Sequence, residues 1–161
     1  MEKPIPLQTG DIAPDFNLVS GEGKHYSLAD FFNKKRVVLY FYPKDDTPGC
    51  TLEACSFRDY WKEIEQTGAV VVGVSPDTEE SHHKFTAKHG LNFPLLSDHG
   101  HEVAERYGAW GEKNMYGRKT MGMLRQTFII GQDGRIETIF RKVKAENHAR
   151  IILDYLVNNP E

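Results

Sequence analysis

A six-residue apolar run constrains the fold of this chain more than any other feature. Residues 37–42 read VVLYFY, a mixture of β-branched, aliphatic and aromatic side chains. A short continuous run of this kind is typical of a strand that is buried on both faces of a sheet. Pro43 ends the run, because proline has no N–H group to donate to a neighbouring strand. A second run, VVVGV at residues 70–74, predicts a parallel partner strand joined to the first by a helix.

The connecting helix is predicted to begin at Thr47-Pro48 and to end just before Gly68. Threonine is a good N-cap, and proline suits the first helical position, where its missing N–H group has no partner in any case. Cys50 then occupies the third helical position, beside unpaired N–H groups and the positive end of the helix dipole. The Thr47 hydroxyl is expected to reach toward the same residue. The sequence therefore predicts that Cys50 is a reactive nucleophile.

Cys55 is the second of the two cysteines in the chain. At about 100° per residue, Cys50 lies on the inward helix face, whereas Cys55 lies on the other side. The two Cα atoms are then about 8–9 Å apart, and a disulfide needs them within ~7 Å. A disulfide between them would require the first helical turns to unwind, as in a transient redox bond. The alternative is that both cysteines are inert packing residues. The apolar residues expected on the inward face are Ala54, Phe57, Trp61 and Ile64.

The region around Cys50 resembles the active-site signature of the peroxiredoxins, Pro-x-x-x-Thr-x-x-Cys, with Pro43, Thr47 and Cys50 in the three fixed positions. The longer string YPKDDTPGCTLEAC is similar to the Q-type subfamily, also called bacterioferritin comigratory proteins. The resemblance extends from GDIAPDF at residues 10–16 to RQTFII at residues 125–130. It implies an α/β, thioredoxin-like fold and thiol-dependent reduction of hydroperoxides.

The resemblance also implies a role for each site residue. Cys50 would be the peroxidatic cysteine, and Cys55 the resolving cysteine that follows it after four residues. Arg125 stands where the family's active-site arginine precedes a strand, and it would favour the thiolate and hold the peroxide oxygens. Without the resemblance, Arg125 reads as a solvated arginine at a strand end. Pro43 would shield the thiolate, and the Thr47 hydroxyl is a candidate donor to the leaving oxygen.

One position departs from the family pattern. Gln126 follows the arginine where a small hydroxyl residue is common, which affects local hydrogen bonding rather than the main assignment. The resemblance further implies that the oxidised protein is reduced by thioredoxin or a glutaredoxin-like dithiol.

No metal or organic cofactor is expected, because sulfur carries the redox change. The adjacent His82 and His83 point apart on a helix, and His99 and His101 flank a glycine. Neither pair has cysteines or carboxylates at zinc-site spacing. The histidines are therefore expected to be exposed, as is the charged loop at residues 44–46.

Length and charge exclude several function classes. A chain of 161 residues is predicted to form a single domain over residues 1–161. Its net charge of −3 and lack of a basic block argue against nucleic acid as a partner, and no apolar run is long enough for a membrane span. The N-terminus lacks a signal-peptide core, so a cytoplasmic location is expected. Subfamily analogy suggests a monomer.

The remaining pattern predicts a central mixed β-sheet flanked by helices, with an N-terminal extension kept extended by Pro4, Pro6 and Pro14. Residues 108–122 are predicted to form a loop. Its apolar residues either cover a pocket mouth or pack on the core; they are Trp110, Met115, Tyr116 and Met121. Further strands are expected near residues 16–19, 93–96, 125–130 and 136–140, and further helices near residues 78–88, 101–107 and 145–157.

Two other functions fit a thioredoxin-like fold. A protein-disulfide oxidoreductase would be expected to carry a C-x-x-C motif, which this sequence lacks. A non-enzymatic binding or holdase module would need no reactive thiol, and peroxide would then leave Cys50 unchanged.

Overall fold

The computed structural model describes residues 6–161, apart from the side chain of Met115. Pro4 lies outside the described residues. The strands of the described residues are β1 (Asn17–Ser20), β2 (His25–Ser27), β3 (Arg36–Phe41), β4 (Ala69–Ser75), β5 (Leu95–Ser97), β6 (Trp110–Met115), β7 (Arg118–Met123), β8 (Gln126–Ile130) and β9 (Ile136–Phe140). Seven of them form one mixed sheet in the order β2-β1-β5-β4-β3-β8-β9, and β6 pairs with β7 in a separate hairpin.

The apolar run at residues 37–42 forms the centre of this sheet, as predicted. All six residues of β3 are buried. β3 pairs in parallel with β4 and antiparallel with β8, which places Leu39 between Val72 and Phe128. Because strand side chains alternate between faces, Val37, Leu39 and Phe41 enter one core cluster, while Val38, Tyr40 and Tyr42 enter the cluster on the other face. This second cluster contains Cys50.

The helices cover both faces of the sheet. A 3₁₀-helix spans Leu28–Phe31, and the α-helices are α1 (Pro48–Asp59), α2 (Trp61–Gln66), α3 (Glu79–His89), α4 (Glu102–Tyr107) and α5 (His148–Asn158). The predicted single helix is divided at Tyr60, whose φ and ψ of −97° and 9° leave the helical region. The bend still buries both Phe57 and Ile64, while Trp61 remains half-buried. In α5, Ile152 and Leu156 are buried, whereas Ile151 is 48% exposed.

The segment at residues 108–122 is not the predicted loop. β6 and β7 form a six-pair antiparallel hairpin, from Trp110↔Met123 to Met115↔Arg118. Tyr116 and Gly117 make the turn, both with positive φ, and the Tyr116 side chain is fully exposed. The three consecutive polar residues Glu112, Lys113 and Asn114 hid this strand, because they interrupt the apolar–polar alternation that marks a half-buried strand. Met115, also part of that prediction, has a side chain outside the described residues.

The N-terminal segment closes one end of the sheet. Residues 10–13 hydrogen-bond to the β8–β9 turn, where Ala13 N–H donates to the Gly134 carbonyl, and Ala13 and Phe16 are buried. No helix of the described residues is long and apolar enough to cross a membrane.

Candidate active site

Cys50 occupies the third position of α1, where the sequence predicted it. The chain leaves β3 after Phe41, turns through residues 43–47 and enters α1 at Pro48. The first helical hydrogen bond runs from the Thr51 N–H group to the Thr47 carbonyl at 2.8 Å. Cys50 is only 2% exposed. The turn that follows the strand therefore places the Cys50 thiol at a helix N-terminus, where it is shielded from bulk water.

Thr47 is the N-cap residue by position, but its side chain does not cap the helix. Its hydroxyl instead donates a 2.9 Å hydrogen bond to the Lys44 carbonyl. The expectation that it reaches the third helical residue is therefore wrong. Because its proton is already engaged, its oxygen remains available as an acceptor rather than as the donor that the sequence suggested. Pro43 is half-buried at the end of the strand.

Arg125 lies between β7 and β8 and reaches the cysteine. Its Nη2 donates to Cys50 Sγ at 3.2 Å, and its Nη1 donates to Glu53 Oε1 at 2.6 Å. The solvated alternative for Arg125 is thus excluded. Desolvation opposes its charge, but Glu53 and Cys50 outweigh that cost and hold the pKa of Arg125 above its usual value. The structure therefore joins Arg125 to Cys50 and Glu53, although more than seventy positions separate it from each of them in the sequence.

Glu53 is a site residue that sequence reasoning missed. It is fully buried, and its Oε2 atom has no hydrogen-bond partner among the described residues. Burial raises the pKa of Glu53 to about 7, although Arg125 acts in the opposite direction. The available signal was a carboxylate one helical turn after Cys50, near the inward face of α1.

Lys113 is a second residue that sequence reasoning did not find. It lies on β6, within the segment predicted to be a loop. Partial burial lowers the pKa of Lys113; Arg125 lowers it further, and Cys50 acts in the opposite direction. The hairpin therefore brings another cation within electrostatic range of Cys50.

His148 adds a buried neutral side chain behind the site. It starts α5, and its Nε2 lies 2.7 Å from the Thr127 hydroxyl. Burial, together with the charge of Arg125, lowers the pKa of His148 to about 4. Near neutral pH this imidazole is uncharged.

The charged loop at residues 44–46 is not fully solvated, contrary to expectation. Asp45 is buried and accepts from the Tyr42 hydroxyl at 2.6 Å. Its other oxygen lies 2.7 Å from Nδ1 of His82, a histidine that was expected to be exposed but is fully buried. The loop before Cys50 is thereby tied to both β3 and α3. Its neighbour Asp46, which is exposed, pairs with Lys88 at 2.9 Å.

Asp45, Asp77 and His82 bring three possible metal ligands within 4.8 Å of one another. Their polar atoms already have hydrogen-bond partners in the protein. Ser81 donates to Asp45 at 2.8 Å, and Ser75 donates to Asp77 at 2.7 Å. This arrangement fits a structural hydrogen-bond network, and the absence of a metal remains a prediction.

Cys55 is half-buried on α1, and both cysteines are free thiols. α1 is continuous from Pro48 to Asp59. Helix geometry therefore places the Cα atoms of Cys50 and Cys55 too far apart for a disulfide between their sulfur atoms. The structure therefore presents the two cysteines as separate thiols.

A buried thiol that accepts from a guanidinium at a helix N-terminus is a site for nucleophilic sulfur chemistry. Comparison with known proteins agrees. Residues 9–139 match the AhpC/TSA family model. The chain therefore belongs to the AhpC/TSA family, and the similar proteins within it are peroxiredoxins of the Bcp and Q type, which are thiol peroxidases.

The similarity covers almost the whole chain. It is 49% identical to a putative peroxiredoxin Bcp of Helicobacter pylori strain J99, over 97% of this chain and 100% of the relative. It is 45% identical to peroxiredoxin Bcp of Escherichia coli K12, over 94% of this chain and 96% of the relative. Among solved structures, a mutant of Xylella fastidiosa PrxQ aligns with a TM-score of 0.89 and 35% identity, over 96% of this chain and 98% of that one.

A further structure bears on the substrate. The bacterioferritin comigratory protein of Xanthomonas campestris, which has alkyl peroxide reduction activity, aligns with a TM-score of 0.84 and 37% identity, over 89% of this chain and 90% of that one. These matches confirm the predicted thioredoxin-like fold and the predicted enzyme class.

Proposed function

We propose that this protein reduces hydrogen peroxide and organic hydroperoxides, with Cys50 as the peroxidatic and Cys55 as the resolving cysteine. The observation that carries the proposal is the 3.2 Å hydrogen bond from Arg125 Nη2 to Cys50 Sγ. A guanidinium donor favours the thiolate over the thiol. The alkyl peroxide reduction activity of the X. campestris relative supports organic hydroperoxides as substrates.

In the first step the Cys50 thiolate attacks one oxygen of the peroxide. The S–O bond forms as the O–O bond breaks, so the cysteine is oxidised by two electrons to the sulfenic acid. The other oxygen leaves with a proton as water or an alcohol. Arg125 stabilises the charge that develops on the oxygens, the Thr47 oxygen accepts from the peroxide O–H group, and Pro43 shields the thiolate from water.

In the second step Cys55 condenses with the sulfenic acid. An S–S bond forms, and the sulfenic oxygen leaves as water. Because α1 is intact between the two residues, its first turns must unwind before the sulfur atoms can meet. A slow rearrangement would leave the sulfenic acid open to further oxidation. An external dithiol, thioredoxin or a glutaredoxin-like protein, then reduces the disulfide.

The test is intact mass spectrometry after one equivalent of hydrogen peroxide. The wild type should lose two hydrogens, and Cys55→Ser should gain one oxygen at Cys50. If the mutant stays unmodified while its denatured thiols react normally, Cys50 is not an activated nucleophile. Peroxide-dependent NADPH oxidation with the thioredoxin system or the glutaredoxin system would identify the reductant.

The same proposal includes the assembly and location of the enzyme. We infer one domain over residues 1–161, a monomer and a cytoplasmic enzyme, because a reducing compartment suits cysteines used for chemistry. Light scattering coupled to size exclusion would test the monomer.

A further inference from the structure

A buried hydrogen-bond network fixes the turn at residues 43–47, which joins β3 to α1. Its centre is the Asp45 carboxylate, which is buried. Oδ1 accepts from the Tyr42 hydroxyl at 2.6 Å. Oδ2 accepts from the Ser81 hydroxyl at 2.8 Å and lies 2.7 Å from His82 Nδ1. One carboxylate therefore ties the turn to the end of β3 and to α3.

The contacts of His82 assign its protons. Nε2 lies 3.1 Å from the Leu96 carbonyl oxygen, which only accepts hydrogen bonds, so Nε2 carries a proton. A second proton lies between Nδ1 and Asp45 Oδ2, because two lone pairs would repel each other at 2.7 Å. The pair as a whole is therefore neutral, which suits its burial. Removing either partner would leave the other buried without this hydrogen bond.

His82 is itself held by its surroundings. Leu96, whose carbonyl accepts from the ring, lies on β5 of the central sheet. A Cβ atom at Gly21 would stand 2.6 Å from His83 N and 3.0 Å from His82 Cβ, so the turn between β1 and β2 packs directly on α3. The imidazole is thus a fixed point, and the turn before Cys50 is the part that it positions.

This turn needs an external tie. Asp46 has a φ of 58°, a left-handed conformation that residues other than glycine seldom adopt without support from their surroundings. Its pair with Lys88 at 2.9 Å joins side chains that are more than half exposed, and such pairs contribute little. The buried ties converge instead on Asp45, whose N–H group also donates to Asp77 at 2.7 Å.

The turn also determines where α1 begins. The Thr47 hydroxyl donates to the Lys44 carbonyl at 2.9 Å, and the Thr47 carbonyl accepts the first helical hydrogen bond, from Thr51. Cys50 lies in this first helical turn. A shift of the turn would therefore displace the thiol from Arg125, whose Nη2 lies 3.2 Å away.

We propose that His82 is a positioning residue for the reaction at Cys50. Through Asp45 it holds the turn in the conformation that attack requires, although it makes no hydrogen bond to Cys50 within the described residues. Attack needs the turn in place, whereas a Cys50–Cys55 disulfide needs the first turns of α1 to unwind. The same tie therefore favours the first step and opposes the second. The inference rests on the proposed peroxidase function.

The test measures the two steps separately in His82→Leu. Stopped-flow mixing with hydrogen peroxide gives the rate constant for Cys50 oxidation, and acid-quenched intact mass spectrometry follows the conversion of sulfenic acid to disulfide. Oxidation should slow about 10- to 100-fold, as a small misplacement does, while disulfide formation should become faster. A loss of global stability alone does not change the two steps in opposite directions.

Two further variants assign the effect to the hydrogen bond. His82→Asn places an amide N–H group near the position of Nδ1, where it donates to Asp45, so it should restore most of the oxidation rate. His83→Leu is the matched control, since this neighbouring histidine is 64% exposed and lies 3.8 Å from Glu22. Its two rate constants should equal those of the wild type.

Asp45→Ala removes the same tie from the side of the turn, and it carries the test if His82→Leu does not fold. Asp46→Asn is its control, because asparagine tolerates positive φ while the exposed pair with Lys88 is lost. Wild-type rate constants in the variants that lack the tie, or a slowing of both steps, would overturn the proposal. An unreactive Cys50 in the wild type would instead overturn the peroxidase function.

Discussion

The two cysteines lie five residues apart on one helix, yet their surroundings differ sharply. Cys50 is buried and accepts from Arg125. Cys55 is half-buried, and its side chain has no hydrogen bond among the described residues. In the proposed mechanism the attack on peroxide is therefore pre-organised, whereas resolution requires a rearrangement.

Cys50→Ser should give the largest effect, because it removes the nucleophile. A serine hydroxyl is not ionised near neutral pH, so the same helix position and arginine cannot activate it. We expect no peroxide-dependent turnover above background in a coupled assay with a dithiol reductant. Turnover that survives this change would move the reactive thiol to Cys55 and reverse the comparison.

Arg125→Met should slow the attack without removing the thiol. The methionine keeps part of the side-chain volume but donates no hydrogen bond to Sγ, so we expect the rate constant for Cys50 oxidation to fall about 10²–10³-fold. Stopped-flow mixing with peroxide would measure that rate constant. Arg118→Met, an exposed position on β7, is the matched control. Equal rates in both variants would show that the bond seen at Cys50 does not assist the reaction.

Glu53→Gln should change how stability depends on pH. The pKa of Glu53 is raised from 4.5 to about 7 in the folded protein. Between these values the folded state holds a proton that the unfolded state has released, so the stability contribution is complete at low pH and is lost as pH rises. The loss is roughly 3 kcal/mol, and the glutamine variant should not show it.

Urea unfolding at several pH values would measure this effect as the difference between wild type and variant. The difference is needed because His148, with its pKa lowered to about 4, has the opposite dependence and stabilises the fold as pH rises. Glu63→Gln, at an exposed position on α2, is the control. Parallel curves for wild type and Glu53→Gln would mean that the buried carboxyl is not perturbed as described.

Local sequence signals predicted the Cys50 half of this comparison well. The apolar run at residues 37–42 and the helix start at Thr47-Pro48 are both short local patterns. Backbone chemistry alone therefore indicates the strand, the helix and the position of Cys50. The position of Arg125 came from a family resemblance, because no local rule relates it to residue 50. Its contact with Cys50 depends on β3 and β8 being neighbours, which is a property of the whole sheet.

The wrong predictions for Asp45, His82 and Lys113 share a cause. Asp45 and His82 were expected in water because charged residues usually are, but their mutual contact across 37 positions makes burial tolerable. Lys113 was placed in a loop because β6 lacks apolar alternation. In each case a polar residue is positioned by a distant partner, and such pairing is not visible in a local window of sequence.

Cys55→Ser should have the smallest effect on the attack itself. It therefore tests whether the two cysteines have separate roles. The side chain lies away from Sγ of Cys50 on an intact helix, and serine differs by one atom. We expect the rate constant for Cys50 oxidation to stay within about twofold of wild type, since substitutions away from the core and from hydrogen-bond networks usually change little. Steady-state turnover with thioredoxin should fall, and sulfinic acid should accumulate at Cys50 with excess peroxide. A variant that attacks slowly would place Cys55 in the attack site, whereas one that turns over normally would remove its resolving role.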